Sequence, residues 1–479
     1  MISLYDFECA LAQSVFPFFQ AKFKPSANTS ELLFKNLSSQ QLERIKLVVA
    51  YSGGVDSQVL LHLCMQLKAN YPAMQLRALH VNHGLSINAD KWTQHCRDFC
   101  HSQGIGFESQ TLSLQKQARK SLEAEARNAR YQALSAMMFD DEVLLLGQHQ
   151  QDQVETFLLQ LKRGAGPKGL ASMAAFGEMS LEGGVLRFAR PLLNTSKADI
   201  FAYAETHQLH WIEDESNQNR DFDRNFLRHE IMPELETRWS AFVQSAARSV
   251  RLIAEQEAML NEVGEAYLMP CLKDDGSLCL TALNSLSVAW QKWVIRVWVK
   301  QFSTMSKNGH SLQLPSEKTL NQILHSLVNA KEDANPKVMN GEWSFRRFQA
   351  RLFLVENVKS CQQLSIEWRG EKQLTLPEKM GVIHFDALPK ENKKHAIFIG
   401  DKDKVSIYFR NFSSRFKPKG SPHSKPLKQW FKQWQTPPWE RERIPLVYVN
   451  GELAMVGEVV GQGFEKQSAA AVRVCYWSR

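Results

Sequence analysis

Short apolar runs alternate with longer segments of helical periodicity through the first half of the chain. Residues 45–50, IKLVVA, form an apolar strand that runs into YSGGVDS, after which Val55, Val59, Leu60 and Leu63 recur at helical spacing. LRALHV at 76–81, GFESQTL at 106–112 and EVLLLG at 142–147 supply three further strands. Strong helix formers fill 118–138, and 154–161 is again helical. Strand and helix in this rhythm predict an α/β fold, with an N-terminal parallel sheet covered by helices.

The rhythm changes at RNFLRHEIMPEL, 224–235, where a mainly helical stretch begins. Ala246, Val250, Ile253 and Glu257 sample one helical side. Trp290, Trp293, Val294, Val297 and Trp298 form a stripe that predicts core packing rather than nucleotide stacking. Towards the end, VSIYFR at 405–410 and PLVYVNGELAMVG at 445–457 read as strands, with Asn450 and Gly451 at the centre of a type I′ hairpin. At about 150 residues per domain, 479 residues suggest three domains. The expected division is 1–224 for the α/β domain with an N-terminal extension, 225–345 for a mainly helical domain and 346–479 for a C-terminal α+β region.

Composition narrows the class. With 44% hydrophobic residues the chain can build buried cores, and a formal charge of +8 fits an anionic partner without identifying one. The eight cysteines, Cys9, Cys64, Cys96, Cys100, Cys271, Cys279, Cys361 and Cys475, show no disulfide framework and fit a reducing interior. Asp6 and Glu8 stand where a secretory leader would be basic, Pro17 interrupts the first apolar run, and no run approaches the roughly 20 apolar residues of a membrane span. A soluble cytoplasmic protein without a membrane partner is expected; a homo-oligomer is left open. Cys96 and Cys100 lie near His95 and His101, but without a second ligand cluster they read as one helix's side chains rather than a metal site.

The sharpest chemistry lies in Ser52-Gly53-Gly54-Val55-Asp56-Ser57, between an apolar strand and a helix. Gly53 and Gly54 let backbone N–H groups approach phosphate oxygens, Ser52 and Ser57 add hydroxyls, and the helix presents its positive end. Asp56 repels phosphate on its own and is suited to positioning Mg²⁺ or a polar group. The segment is not GxxxxGK[ST] and lacks that loop's lysine. SGGVDS after LVVAY instead resembles the PP-loop of the ATP-pyrophosphatase superfamily, whose members use ATP to adenylate an oxygen and release pyrophosphate.

HVNHGLS and GQHQQDQVET each follow a strand, at the sheet edge where open α/β folds bind ligands. Together with SLEAEARNARY, KRGAGPKGL, RPLL and WIEDESNQNRDFDRNFLR, they resemble the tRNA(Ile)-lysidine synthase family. The resemblance covers the first domain and extends into the late basic region. It implies that ATP and L-lysine convert the wobble cytidine of a CAU-anticodon tRNA(Ile) to lysidine: the 2-carbonyl oxygen is adenylated, then the lysine ε-amine displaces AMP, changing decoding from AUG to AUA.

By that resemblance Ser52, Gly53, Gly54, Val55, Asp56 and Ser57 hold the ATP phosphates and Mg²⁺, and His80 with the backbone near Ala50 places adenine. Asp56 and Asp152 are the catalytic and metal-binding candidates. His83, Arg127, Arg130, His149, Glu155, Arg163, Asp214, Asn217, Arg224, Asn225 and Arg228 are candidates for substrate binding. Spacings of three put Arg127 with Arg130, and Asp152 with Glu155, on common helical sides, although solvated ion pairs would give the same spacing. Where the family has DDQ, this chain has Gln151-Asp152-Gln153, one acidic group fewer.

From Arg410 through Arg443 there are nine basic residues against Glu440 and Glu442. Arg415, Lys417, Lys419, Lys425, Lys428 and Lys432 are the tRNA-binding candidates, able to attract phosphate without choosing a sequence. Leu427, Trp430, Phe431 and Trp434 have helical spacing and predict a core face. Three other readings compete: a PP-loop tRNA-modifying enzyme of another class such as a sulfur transferase, a small-molecule ligase, and an inactive tRNA-binding protein. No CxxC pair supports a sulfur relay, and the basic tail favours RNA over a purely small substrate.

Overall fold

The computed structural model describes residues 2–19, 34–84, 86, 88–112, 122–181, 184–213, 215, 220–305, 312–329, 336–357, 364–387, 395–400, 402–409, 412–464 and 471–478. The chain divides into two compact units, Met1–Glu265 and Ala266–Arg479.

The first unit is built on six strands: β1 (Lys46–Ala50), β2 (Gln75–Asn82), β3 (Gly106–Thr111), β4 (Val143–Leu145), β5 (Phe176–Leu181) and β6 (Gly184–Ala189). Their order is β3-β2-β1-β4-β6-β5. All neighbours pair in parallel except the β5–β6 hairpin. The apolar run of β1 reflects burial on both faces. Leu47 and Val49 pack with Val59, Leu60 and Leu63 of the helix Val55–Asn70, while Val48 and Ala50 join Leu79, Tyr131 and Leu144 in a second core. After β3 the chain returns to the other side of β1 to lay down β4. The sheet therefore reverses direction between β1 and β4, and the loops leaving those strands flank the crevice where such folds bind ligands.

In the second unit, the helix Val288–Met305 buries Val294, Ile295, Trp298 and Val299; of the predicted stripe, Val294 and Trp298 are core, Trp293 and Val297 are partly buried against it, and Trp290 is half-buried beside Tyr267 and Trp293. Trp298 Nε1 donates to Gly276 O at 2.8 Å. This helical region also contains an antiparallel sheet of Leu278–Cys279, Lys337–Asn340, Trp343–Phe348 and Arg351–Glu356. Residue 345, the expected domain edge, lies inside its third strand. Further along, a five-stranded and a four-stranded sheet share one core, with Ile407 and Val447 from one meeting Ile383, Phe385 and Cys475 from the other. The hairpin between Leu446–Val449 and Glu452–Val456 turns through Asn450 and Gly451 at φ 51° and 85°, the positive values its sequence demands. Leu427, Trp430 and Phe431 are buried, as their spacing predicts, and Trp434 is partly buried against them. Among the described residues no helix is long and apolar enough to cross a membrane, and no group of three or more His, Cys, Asp or Glu could hold a metal. Cys96 and Cys100 are buried helix residues.

Two imidazoles of the first unit are kept neutral by their surroundings. His62 Nδ1 lies 3.0 Å from Tyr203 Oη, and burial, aided by the nearby His207, lowers its pKa. Burial likewise lowers that of His80, with Arg130 adding to the effect against the Tyr51 carbonyl. The unfolded chain protonates both near 6.5, so below that pH it binds more protons than the folded chain and stability is lost as pH falls. Thermal unfolding at pH 7 and pH 5.5 should show a lower midpoint at the acid value, with a smaller difference in a His62→Phe variant. Equal midpoints would contradict the neutral-imidazole assignment.

Candidate active site

The loop after β1 is braced before it turns. Tyr51 N–H donates to Leu79 O at 2.8 Å, and His80 Nδ1 contacts the Tyr51 carbonyl at 2.8 Å. Gly53 then takes φ 86°, where a Cβ would fall 2.6 Å from Ile212 Cδ1 and 3.0 Å from Cys96 Sγ. Ile212 N–H donates to Gly53 O at 2.9 Å, so Ile212 backs the loop. Ser52 Oγ and Ser57 Oγ are 3.0 Å apart, and Ser57 Oγ donates to Gly54 O at 2.9 Å. In this state the two hydroxyls close the loop upon itself. Gly54 begins the helix Val55–Asn70 without a side-chain cap, which leaves first-turn N–H groups for an anion.

The loop after β4 comes against this turn. A Cβ on Gly147 would lie 3.2 Å from Asp56 C and 3.3 Å from Asp56 O and Ser57 N, so only glycine permits the approach without backbone movement. Two residues later, His149 caps the helix Gln150–Lys162. Its Nδ1 accepts from Gln151 N–H at 3.2 Å, while its own N–H donates to Asp152 Oδ2 at 3.0 Å. Because Nδ1 accepts, the ring N–H is on Nε2. That nitrogen lies 3.7 Å from Asp56 Oδ1 and 3.5 Å from Asp152 Oδ2, so both acidic candidates meet at one imidazole.

The two carboxylates differ. Burial raises the pKa of Asp56, with the charge of Asp152 adding, against His149, Lys197 and Arg228. Burial would also raise Asp152, but His149, Arg224, the His149 N–H and Arg228 outweigh it and hold that carboxyl low. Asp56 Oδ1 is enclosed without a hydrogen-bond partner, whereas Asp152 uses Oδ2 on His149 N–H and Oδ1 on Arg228 Nη2 at 3.1 Å. A cation held with phosphate oxygens therefore has its most available protein oxygen on Asp56.

Glu155 is fully buried. Its Oε2 accepts from Arg224 Nε at 3.0 Å and Arg228 Nη2 at 2.9 Å, and its Oε1 from Arg228 Nε at 2.8 Å. A π-helical turn, Leu227–Ile231, follows the short helix Asp223–Phe226 that carries Arg224 and Asn225. With both oxygens engaged, Glu155 ties this segment to the site, a positioning arrangement rather than a free substrate ligand.

A cationic cluster stands beside His80. Arg130 has its pKa lowered by burial and by Arg127, whose guanidinium lies 5.5 Å above the Tyr131 ring. Arg190 joins them from the RPLL motif, a residue that sequence reasoning left without a role. It is buried, donates from Nε to Gln148 Oε1 at 2.8 Å and from Nη1 to Ala174 O at 2.7 Å, and lies 4.4 Å over Phe188. Among the described residues none of these three arginines forms an ion pair. Lys197, whose charge lowers the pKa of Asp56, was also missed; nothing in its sequence surroundings marks it.

Other candidates fall elsewhere. His83 follows β2 directly. Arg163 is exposed beyond the far end of Gln150–Lys162, about 20 Å along the helix from His149 at 1.5 Å per residue. Asp214 and Asn217 lie outside the described residues, as does Arg410. In the second unit, Lys428 and Lys432 are exposed on the helix Leu427–Gln433, and Lys419 is exposed. Lys425 Nζ sits 4.8 Å over Trp430, and Arg415 donates to Ser424 O at 2.6 Å. Lys417 is half-buried.

Comparison with known proteins matches residues 26–235 to a PP-loop domain, 278–353 to a TilS substrate binding domain and 405–477 to a TilS substrate C-terminal domain. A tRNA(Ile)-lysidine synthase of Photorhabdus laumondii is 36% identical over 95% of this chain and 99% of its own. One from Serratia proteamaculans is 40% identical over 85% and 89%. Among solved structures, a U34-tRNA thiolase of Methanococcus maripaludis aligns over 44% of this chain and 72% of its own, at 19% identity and TM-score 0.37.

Glu155→Gln removes the charge that two arginines share. It should destabilise the first unit by about 3 kcal/mol, the scale for breaking a buried pair, measured by denaturant unfolding; a loss below about 0.5 kcal/mol would show that the pair is not structural. Gly53→Ala should cost about 1–2 kcal/mol in the same measurement, because alanine resists the positive φ.

Proposed function

The chain belongs to the tRNA(Ile)-lysidine synthase family of the PP-loop superfamily, and on that premise we propose that it uses ATP and L-lysine to modify the wobble cytidine of a CAU-anticodon tRNA(Ile). The observation that carries this reading is the meeting of Asp56 and Asp152 at His149, beside an uncapped helix start and across the crevice where the sheet reverses.

The turn Ser52–Ser57 receives the triphosphate on backbone N–H groups, with Ser52 and Ser57 exchanging their mutual bond for phosphate oxygens. His80 fixes the Tyr51 carbonyl at the root of the turn and thereby the adenine side of the pocket. The cytidine 2-carbonyl oxygen attacks the α-phosphorus, an O–P bond forms and pyrophosphate leaves. The ε-amine of lysine then attacks C2, loses a proton and expels AMP. Asp56, assisted by Asp152, would hold Mg²⁺, which supplies neutralisation of phosphate charge when bound. Arg127, Arg130 and Arg190 offer positive charge to the RNA backbone or the adenylate, and His149 keeps its Nε2 proton between the two carboxylates. Glu155, Arg224 and Arg228 position Asp152.

A sulfur-transfer reading is weaker. Cys96 and Cys100 adjoin the turn, but burial pushes each thiol up to about 12, which leaves almost no thiolate. The basic residues from Arg415 to Lys432 give the second unit a grip on tRNA phosphate, so that selection of the tRNA is divided from the chemistry.

Incubation with Mg-ATP, labelled L-lysine and CAU-anticodon tRNA(Ile), followed by nucleoside mass analysis, should find lysine at the wobble base and none on UAU-anticodon or methionine tRNA. Intact protein that binds RNA without this product would defeat the enzyme assignment. Asp56→Asn should lower AMP transfer at least about 100-fold, the scale for loss of a charged transition-state partner; undiminished transfer would reject its role. Lys425→Gln with Lys428→Gln should weaken tRNA binding and flatten its salt dependence while leaving ATP affinity unchanged; an unaltered salt slope would contradict the phosphate assignment.

A further inference from the structure

In the second unit the chain doubles back through CLKDDGSLC, residues 271–279. Leu272 and Leu278 form an antiparallel bridge, Lys273 N–H donates to Ser277 O at 2.9 Å, and Cys279 N–H donates to Cys271 O at 2.7 Å. The pair flanking that bridge is Cys271 and Cys279. Residues opposed in an antiparallel ladder carry their side chains on one face, with Cα atoms about 5.5 Å apart when they exchange both N–H···O bonds; this pair keeps one of the two, since Cys271 N–H donates to Leu268 O at 2.9 Å. That separation lies inside the roughly 4.4–6.8 Å window of disulfides. We propose that Cys271 and Cys279 form a reversible dithiol–disulfide pair, at which a hydroperoxide oxidises the chain.

The two thiols are unequal in the way such a pair requires. Cys271 is 1% exposed, while Cys279 is partly exposed. The N–H of Ala282, and then that of Thr281 with the charge of Lys273, hold the Cys279 thiol below its ordinary pKa despite burial. Cys271 is raised by burial and by the neighbouring charge of Cys279. Cys279 is thus the attacking sulfur and Cys271 the resolving one. The Cys279 thiolate attacks the terminal peroxide oxygen; the O–O bond breaks, a sulfenic acid forms and the alkoxide leaves as an alcohol after taking a proton. The Cys271 sulfur then attacks the sulfenic sulfur, the S–S bond forms and hydroxide leaves with the Cys271 proton as water. Two thiols lose two electrons, and one hydroperoxide is reduced to alcohol and water.

The hairpin is anchored independently of the pair, by Asp275 to Arg351 at 2.9 Å and by Trp298 Nε1 on Gly276 O. Other described cysteines lack this opposition: Cys9 lies on the helix Leu4–Phe19, Cys96 and Cys100 lie four residues apart on one helix, and Cys64 and Cys475 are buried with thiols pushed well up.

The full chain, reduced and then treated with hydrogen peroxide, is alkylated and digested with trypsin. Cleavage after Lys273 separates the cysteines, so the disulfide appears as peptide 252–273 joined to 274–292, and reductant splits it. Dimedone should label Cys279 in a Cys271→Ser variant and leave Cys271 unlabelled in Cys279→Ser. In the reduced wild-type chain, iodoacetamide should modify Cys279 at least about tenfold faster than Cys271. Because peptide mapping uses the wild-type chain, it decides the matter even if a variant misfolds. Oxidation that leaves both thiols alkylatable, sulfenic acid on Cys279 without the joined peptide, or a joined peptide found only after denaturation would each overturn the pairing.

Discussion

The site depends on how closely two loops approach where the sheet reverses. Gly147 brings the backbone after β4 against Asp56 and Ser57, where even one methyl carbon would lie 3.2 Å from the Asp56 carbonyl carbon. This contact sets His149 beside Asp56, and the helix cap that follows sets Asp152 beside His149. The requirement is steric before it is chemical. The carboxylates come from different strand–helix units, and their meeting depends on a backbone distance that a side chain on residue 147 would increase.

Electrostatics then separates the roles of similar groups. Asp152 is stabilised as a carboxylate by a backbone N–H and Arg228, while Asp56 is desolvated and keeps an oxygen without a donor. Such divergence between neighbouring acids marks functional sites. Glu155 serves a different end. Its buried charge would be costly alone, and two arginines offset that cost while fastening the Arg224–Arg228 segment to the helix that presents Asp152.

Much of the first unit was legible in the sequence because a strand buried on both faces is an uninterrupted apolar run, as at 46–50 and 143–145. The Asn450-Gly451 turn was legible because few residues accept its backbone angles. The small sheet around 337–356 was missed although its strands pair as consecutive hairpins, Asn340 opposite Trp343 and Phe348 opposite Arg351; only its pairing with Leu278–Cys279 is long-range and invisible to local pattern. In the site, SGGVDS and QHQQDQVET identified the correct strand ends, but spacing alone could not distinguish an available carboxylate from one already satisfied. Asp152 and Glu155 share a helical side, yet only the Arg224 and Arg228 contacts reveal that Glu155 is enclosed. Arg190 was visible in RPLL as a motif residue; its position beside Gln148 arises only when β6 pairs with β4.

The same geometry accounts for Gln151, where the family pattern has an acidic residue. Position 151 supports His149 through its backbone N–H, a bond any residue except proline can make. The His149 tautomer and its contacts with Asp56 and Asp152 therefore survive the exchange. What the exchange removes is one negative charge near two carboxylates, one of which already has its ionisation opposed by burial and by its acidic neighbour. A neutral side chain there adds nothing to the like-charge repulsion that already raises the pKa of Asp56.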